Sequence, residues 1–452
     1  MGTSGIDWST LASNLTAGTT AGFDVQTIVE EVLALQSQQE IQWQNQETSF
    51  NNQATALQQL STQLQTLLRD TNDLTDPLGS LAAMTTSVSN PNVLSATAGS
   101  GATAGSHSIS VNALATTSSY YSDELATNST TFGTGSFSLE VGSGPATTIT
   151  VDSTDDTLTG LAAAINSLNL GVTANVVTDA NGARLTLVSN TSGAAGNITI
   201  SSNTTGLSFN LGSKGADASL TVDGIPIDSS SNTVTSAIPG VTLNLLGLTS
   251  SPVTLQVSPD TSQAATAINN FVSDYNTVIS SINSGLSYDT TTQTAGTLLG
   301  DPSVELVQST LLSDVAASVT GNGAISSLAS LGITMNDDGT LTVDNSQLTN
   351  ALTGNFQAVQ SFFQTATTGF AQKFSSDLTN LTSPTNGAIA VDLNGTNSSI
   401  SSLQSEISDF QANLATEQQT LTTYYSKINA TLQSLPSLLA SINAQLSSLT
   451  SS

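Results

Sequence analysis

The sequence has no cysteine and very few charged residues. Its 452 residues include five Lys and Arg, one His and 33 Asp and Glu, which gives a formal net charge of −28. The absence of cysteine excludes disulfides, thiolate metal sites and a cysteine nucleophile. Binding to nucleic acid requires clustered Lys and Arg that displace counterions, and an anionic membrane surface also attracts basic segments. Because the five basic residues are scattered, we expect neither nucleic acid nor a membrane as a partner.

Motifs for catalysis and metal binding are also lacking. The single histidine, His107, lies in a strand-like stretch and has no context for a Ser-His-Asp triad. The sequence contains no HExxH, no Gly-x-Ser-x-Gly and no P-loop. Asp152, Asp155 and Asp156 could offer oxygen ligands to Ca²⁺, but they lack the spacing of an EF-hand, and helix capping is the simpler interpretation. We therefore expect no enzymatic activity, no cofactor and no metal site.

Targeting signals are equally scarce. Residues 1–21 have no basic region followed by an apolar core, so a cleaved signal peptide is not expected. Their Gly, Ser and Thr content is typical of a segment that is disordered or becomes ordered on assembly. No stretch approaches the roughly 18 consecutive apolar residues of a membrane span.

Apolar residues at alternating steps of three and four occur near both ends of the chain. This is the a/d repeat of a coiled coil, whose apolar seam a single helix cannot bury alone. The repeat occupies residues 50–74 and 400–449, and a shorter stripe begins at residue 25. The predicted assembly interface consists of Val25, Ile28, Val32, Trp43, Leu57, Leu60, Leu64, Leu403, Ile407, Phe410, Leu414, Leu421, Tyr424 and Ile428.

Three features of the helical ends leave choices open. Trp43 lies in a Gln-rich stretch, where a large aromatic ring is often an interface anchor. The alternative is that Trp43 packs against the C-terminal helix of its own chain. Pro436 lies inside the second repeat and should kink the helix or break it. Residues 383–395 contain Pro384, Gly387 and Gly395 and are predicted to form a loop.

The middle of the chain, residues 85–260, alternates apolar and polar residues and is predicted to be rich in β-strands. Asn181-Gly182 between two alternating runs predicts a hairpin. Residues 220–227 are predicted as one strand. A short helix is expected from Leu158 to Leu168, because Asp155, Asp156 and Thr157 suit a helix N-terminus.

These patterns predict an α+β multidomain fold. It has terminal helical coiled-coil legs, a mixed helical leg domain and two β-rich head domains, one inserted in the other. The expected boundaries are 1–45 with 400–452 for the terminal helical domain and 46–84 with 261–399 for the leg domain with a small hairpin. The first head domain is expected at 85–116 with 215–260, and the inserted one at 117–214.

Several motifs follow one another in an order that resembles a known family. The most specific are Asp217–Ile227, Ser231–Val234 and Ile238–Leu243, which read as a strand, a turn and a second strand. The opening Gly22–Val29 and the later Asp338–Asp344 are similar to the same family. Together they resemble the flagellar filament cap proteins, also called flagellar hook-associated protein 2.

The resemblance implies a structural assembly factor rather than an enzyme. It would cap the distal end of a bacterial flagellar filament, as a ring of about five copies of the chain, and promote folding and insertion of exported flagellin. Implied partners are flagellin, the hook–filament junction proteins and a cytosolic export chaperone on the C-terminal helix. The implied location is extracellular, at the distal tip of the flagellum, after export by the flagellar type III apparatus without a cleaved signal peptide.

Two other interpretations remain. The chain could be a surface adhesin whose β head domains bind host glycans or mucin, but these domains offer few candidate aromatics, namely Tyr120, Tyr121 and Phe132. It could also be a flagellin or a hook–filament junction protein. The block Ile238–Leu243 argues against that class, because those proteins lack it.

Overall fold

The computed structural model describes residues 24–99 and 101–450. Residues 1–21 and the opening Gly22-Phe23 lie outside the described residues, and so do the expectations for them. The side chain of Leu449, a seam position, is not described either. The α-helices are α1 Val25–Gln36, α2 Gln38–Thr75, α3 Leu158–Ser167, α4 Thr261–Leu286, α5 Pro302–Ala316, α6 Asn345–Gly354, α7 Phe356–Gln364, α8 Phe370–Leu381 and α9 Ala388–Thr450.

The strands form antiparallel sheets. The strands are β1 Met84–Val88, β2 Leu94–Ala98, β3 Gly105–Ala113, β4 Thr117–Ser122, β5 Gly135–Val141, β6 Thr147–Val151, β7 Val172–Thr178, β8 Ala183–Ser192, β9 Ile198–Ser201, β10 Phe209–Ser213, β11 Ala218–Val222, β12 Ile225–Ser229, β13 Thr233–Ile238, β14 Val241–Leu245, β15 Val253–Pro259, β16 Tyr288–Asp289, β17 Thr294–Ala295, β18 Ile333–Met335 and β19 Leu341–Val343. The spatial orders of the strands in the sheets are β1-β15-β3-β11-β12, β13-β14-β2, β10-β4-β8-β7 and β6-β5-β9, with two small hairpins, β16-β17 and β18-β19.

The chain divides into two compact units. Among the described residues, we call 24–72, 270–344 and 366–450 the helical unit, and 73–99, 101–269 and 345–365 the β unit. The β unit has two apolar cores. One is shared by the five-stranded sheet and the sheet β13-β14-β2, and the other by the remaining two sheets and α3. Alternation along the strands produces both cores, because every second side chain points to the same face.

The helical unit is centred on large buried side chains. Phe271 of α4 meets Phe370 and Phe374 of α8 edge to face, with ring centroids 5.7 and 5.3 Å apart. Leu57 and Leu64 of α2 are fully buried in the same unit. Aromatic contacts of this kind add specificity to the burial of apolar area.

Asparagine side chains tie the backbone together in a chain that has few ion pairs. In each case the amide nitrogen donates to the carbonyl oxygen of one residue, and the amide oxygen accepts from the N–H of the same residue. An asparagine can therefore replace a strand neighbour. The donated and accepted bonds are 2.8 and 2.8 Å for Asn166 with Ala174, 3.1 and 2.9 Å for Asn197 with Gly215, 3.0 and 2.7 Å for Asn232 with Ala115, and 2.8 and 2.6 Å for Asn276 with Leu341.

Several local predictions are confirmed. Strands β7 and β8 pair antiparallel around the predicted turn, where Asp179 Oδ1 accepts hydrogen bonds from the N–H groups of Asn181 and Gly182. Helix α3 begins after Thr157, whose side chain accepts a hydrogen bond from Gly160 N. Turn and capping chemistry is local, so the sequence alone contains it.

Three local predictions were wrong. Residues 220–227 form a hairpin rather than one strand, because Asp223 and Gly224 adopt φ values of +51° and +82° and turn the chain. Helix α9 begins at Ala388, so most of the predicted loop 383–395 is helical. Burial of Ile389 at 2% exposure offsets the cost of Gly395 inside the helix. Pro436 does not break α9, because a proline removes only one hydrogen bond from a helix of 63 residues.

Candidate assembly surface

Helices α1 and α2 run antiparallel to α9, and hydrogen bonds between glutamine amides and glutamates join them to α9. Gln404 Nε2 donates to Glu47 Oε1 at 2.7 Å, and Gln411 Nε2 donates to Glu40 Oε1 at 2.6 Å. A third bond of 3.1 Å joins Gln36 Nε2 to Glu417 Oε1. Glutamine takes the place that Lys or Arg would occupy in most coiled coils. The glutamates thus gain charge-assisted hydrogen bonds without a basic partner.

The start of α1 is defined by a side-chain cap. Asp24 accepts hydrogen bonds from Gln26 N at 3.0 Å and from Thr27 N at 3.4 Å. The hydroxyl of Thr27 also donates to Asp24 at 2.8 Å, and chiefly this bond holds the pKa of the carboxyl below its usual range. An ionised aspartate at this position stabilises a helix N-terminus.

Burial along the α9 seam decreases from its N-terminal to its C-terminal part. Leu403 and Ile407 are buried at 6% and 8% exposure. Phe410, Leu414, Leu421 and Ile428 are half-buried, as are Val25, Ile28 and Val32 of α1, and Tyr424 is exposed. The seam is therefore covered by its own chain at one end and open at the other.

Toward its C-terminal end, α9 presents an exposed apolar face that we call the distal stripe. Its members follow helical spacing, so they share one side of the helix. Between residues 418 and 450 the only charged residue is Lys427. A large exposed apolar patch marks an interaction site. The distal stripe consists of Tyr424, Leu432, Leu435, Leu438, Leu439 and Ile442.

Leu57, Leu60 and Leu64 do not belong to a free surface. They are 0–2% exposed in the core of the helical unit, so their side chains are not available to a partner on the surface of the isolated chain. Apolar spacing on a helix predicts a buried face but not which neighbour covers it. The sequence-based selection also missed Val29, 2% exposed on α1, and every member of the distal stripe except Tyr424, although the same spacing contains them.

Trp43 follows the second of its two interpretations. Its ring contacts that of Phe410 edge to face, with centroids 5.4 Å apart and planes at 83°. The tryptophan therefore packs against the C-terminal helix of its own chain.

Other candidate sites have local explanations. His107 Nδ1 lies 2.8 Å from Asp223 Oδ2 at the β11–β12 turn. Asp152 accepts hydrogen bonds from the N–H and hydroxyl of Thr154. Among residues 24–99 and 101–450, no group of three acidic or histidine side chains is placed to hold a metal ion. No helix of that part of the chain has the length and apolarity needed to cross a membrane.

Comparison with known proteins identifies the family. A family model of the flagellar hook-associated protein 2 C-terminus matches residues 215–437, and one of its N-terminus matches residues 21–118. The chain belongs to the flagellar hook-associated protein 2 family. A further model, the flagellin hook IN motif, matches residues 136–191 within the β unit.

Relatives within the flagellar hook-associated protein 2 family cover most of the chain. The B-type protein of Pseudomonas aeruginosa is 29% identical over 324 residues, 64% of this chain and 68% of that protein. The A-type protein of Pseudomonas aeruginosa is 26% identical over 268 residues, 52% of this chain and 55% of its own length. The crystal structure of the flagellar cap protein FliD D1-D2-D3 domains from Escherichia coli has a TM-score of 0.60 and 27% identity, and the match covers 76% of this chain and 99% of that one. This likeness confirms the predicted α+β multidomain fold.

Proposed function

We propose that this chain caps the distal end of a bacterial flagellar filament and promotes the folding and insertion of exported flagellin. Membership of the flagellar hook-associated protein 2 family and the likeness to a flagellar cap protein support this function. The observation that carries the proposal is the distal stripe, an apolar face on a helix whose other end is packed by its own chain.

The distal stripe suits a partner helix. It extends over about 27 Å at about 1.5 Å per residue. Each apolar side chain that a partner covers contributes roughly 1.5–3 kcal/mol. Gln, Ser, Thr and Asn flank it where other coiled coils have charged e and g residues. We infer a surface that binds firmly but tolerates several registers, as a cap needs when it moves between non-equivalent filament positions.

The proposal includes partners and location. The chain forms a ring of about five copies, contacts flagellin and the hook–filament junction proteins, and meets a cytosolic export chaperone through α9. It leaves the cell through the flagellar type III apparatus and acts at the filament tip. The predicted four-domain division belongs to the same proposal, as does the absence of enzymatic activity.

We do not extend the proposal to adhesion. In the described part of the β unit, Tyr121 is the only aromatic among the exposed large apolar side chains, and the Arg184 guanidinium lies 5.9 Å from its ring centroid. The described part of the β unit therefore offers a single exposed aromatic ring for stacking against a sugar.

Complementation of motility tests the function. In a strain without its own hook-associated protein 2, the full chain should restore swimming, and the triple variant Leu435→Ser, Leu438→Ser, Ile442→Ser should release unpolymerised flagellin into the medium. The matched control changes the opposite, exposed face of the same turns: Gln433→Ser, Ser437→Gln, Ala444→Ser. If the triple stripe variant assembled filaments as well as the control, the proposed role of the stripe would be wrong.

A further inference from the structure

Two carboxyl groups meet inside the helical unit at the start of α5. Asp301 is 6% exposed and caps α5, with Oδ1 accepting from Ser303 N at 2.9 Å and Val304 N at 3.2 Å. Gln53 Nε2 of α2 donates to Asp301 Oδ2 at 3.3 Å. Asp392 of α9 lies within hydrogen-bonding reach of Asp301, and no N–H or hydroxyl group of the described residues donates to its buried Oδ2. Three helices therefore converge on a pair of acids, and no basic side chain of the described part of the chain contributes to the electrostatics of Asp392.

A second acid pair joins α2 and α4. Asp70 and Asp274 are both half-buried, and their side chains lie within hydrogen-bonding reach of each other. The neighbouring Arg69 is 74% exposed and lies 3.0 Å from Asp70 Oδ1. This arginine also interacts electrostatically with Asp274, but its exposure to solvent weakens the effect.

A third acid pair joins α5 and α8. Asp314 is 5% exposed, and Asp377 lies within hydrogen-bonding reach of it. Lys373 Nζ is 3.2 Å from Asp314 Oδ1, whereas no N–H or hydroxyl group of the described residues donates to the buried Asp314 Oδ2. The buried Tyr275 is the remaining titratable neighbour, and burial together with the Asp314 charge raises the pKa of its hydroxyl.

Two carboxyl groups in contact cannot both ionise without repulsion in a partly dry site, so one keeps its proton and donates it to the other. Burial, with the Asp301 contact, raises the pKa of Asp392 from an ordinary 3.8 to about 6. Burial also raises the pKa of Asp274 and of Asp314. Because these folded-state values lie above the unfolded ones, the stabilisation is complete below about pH 4 and is lost as the pH rises through the raised values.

The composition weakens one cause of acid denaturation, the repulsion between positive charges. Proteins unfold in acid partly because protonated carboxyls leave many positive charges that repel one another. Here five Lys and Arg and one His are the only basic side chains, so the protonated chain stays weakly charged. The exposed turn aspartates act in the opposite direction, because hydrogen bonds to neighbouring groups lower their pKa and their ionised form is lost in strong acid. They are Asp24, Asp152, Asp179, Asp223, Asp289 and Asp338.

We propose that each of the pairs Asp301–Asp392, Asp70–Asp274 and Asp314–Asp377 shares a proton and thereby joins two helices. The pairs make the helical unit most stable in a mildly acidic medium of about pH 4–5. The device is independent of the capping function.

Urea unfolding of the full chain, followed by helical circular dichroism between pH 4.5 and 8, tests the proposal. The wild-type midpoint should fall as the pH rises from 5 to 7.5. In Asp392→Asn, the amide replaces the protonated acid, so the midpoint should fall by less than in the wild type and exceed that of the wild type at pH 7.5. Asp274→Asn should behave likewise. Asp409→Asn, an exposed change on the same helix, is the control for net charge.

Two results would overturn the proposal. One is a wild-type midpoint that rises from pH 5 to 7.5, or an Asp392→Asn midpoint that changes with pH in parallel with that of the wild type. The other is an Asp392 carboxyl signal, followed by carbon NMR of labelled aspartate, that titrates near pH 4. Repeating the series in 0.5 M NaCl separates the pairs from general repulsion, because salt at about that level screens exposed charges far more than buried ones.

Discussion

The indole ring of Trp43 stands edge to face against Phe410, 5.4 Å between centroids, on the antiparallel helices α2 and α9. Both rings are half-buried. The contact lies in the same stretch as the bonds from Gln404 to Glu47 and from Gln411 to Glu40. Register between these two helices is thus set by ring shape and by amide hydrogen bonds, since Lys–Glu pairs are lacking there.

A double-mutant cycle measures this aromatic contact. Trp43→Ala and Phe410→Ala should each destabilise the helical unit in urea unfolding. Their coupling energy should be about 0.5–1.5 kcal/mol, as for other edge-to-face pairs. Trp43→Phe keeps a ring at the site and serves as the control, with a smaller loss. Strict additivity of the two alanine variants would show that the rings do not stabilise each other.

The paired asparagine bonds predict a cost for removing one donor. Asn276→Asp places a carboxylate oxygen against the carbonyl of Leu341, where the amide nitrogen now donates at 2.8 Å. We expect a loss of about 1–3 kcal/mol in the free energy of unfolding, because a buried acceptor loses its partner and gains a repulsive neighbour. Asn413→Asp, on the exposed side of α9, makes the same chemical change and should cost little. Equal effects at both positions would contradict the role of the bond.

Pro436 limits the stability of the open end of α9. Pro436→Ala restores a backbone donor within an exposed helical segment. The local free energy of helix opening should rise by up to about 3 kcal/mol. Amide hydrogen exchange across residues 432–446 should become slower, whereas Ser437→Ala should leave it nearly unchanged. Unaltered exchange in Pro436→Ala would mean that the proline does not weaken this segment.

Net charge predicts the salt dependence of assembly. Each chain carries −28, so copies brought together in a ring repel one another. At 0.1 M salt, screening limits the repulsion between exposed charges to a distance of about 10 Å. Sedimentation of the purified chain should therefore show larger assemblies at 0.3 M than at 0.02 M NaCl. Assemblies that dissociate on adding salt would point to attractive charge pairs between subunits instead.

Local features of this fold could be predicted because their causes lie within a few residues. The hairpin at Asn181-Gly182 and the cap at Thr157 depend on turn geometry and on one side chain each. The Asp223-Gly224 turn was missed although its residue types favour positive φ. Alternating apolar residues on both sides of the turn were mistaken for one continuous strand.

Other features depend on what lies beside an element. Gly395 and Pro436 both disfavour helix, yet α9 includes them, since packing and the length of the helix outweigh local preference. The carboxyl pairs could not be predicted from the sequence either, because Asp301 and Asp392 come from distant parts of the chain.

The sequence by itself determined the class of the fold, the family and the two apolar seams, since composition, spacing and turn residues are local properties. Only the tertiary structure decided which part of a seam is core and which is surface. Leu64 and Leu438 have the same residue type within the same kind of repeat, but the first is enclosed by its own unit and the second is 57% exposed. The hydrophobic effect rewards burial against any apolar neighbour, so spacing along one helix cannot name the neighbour.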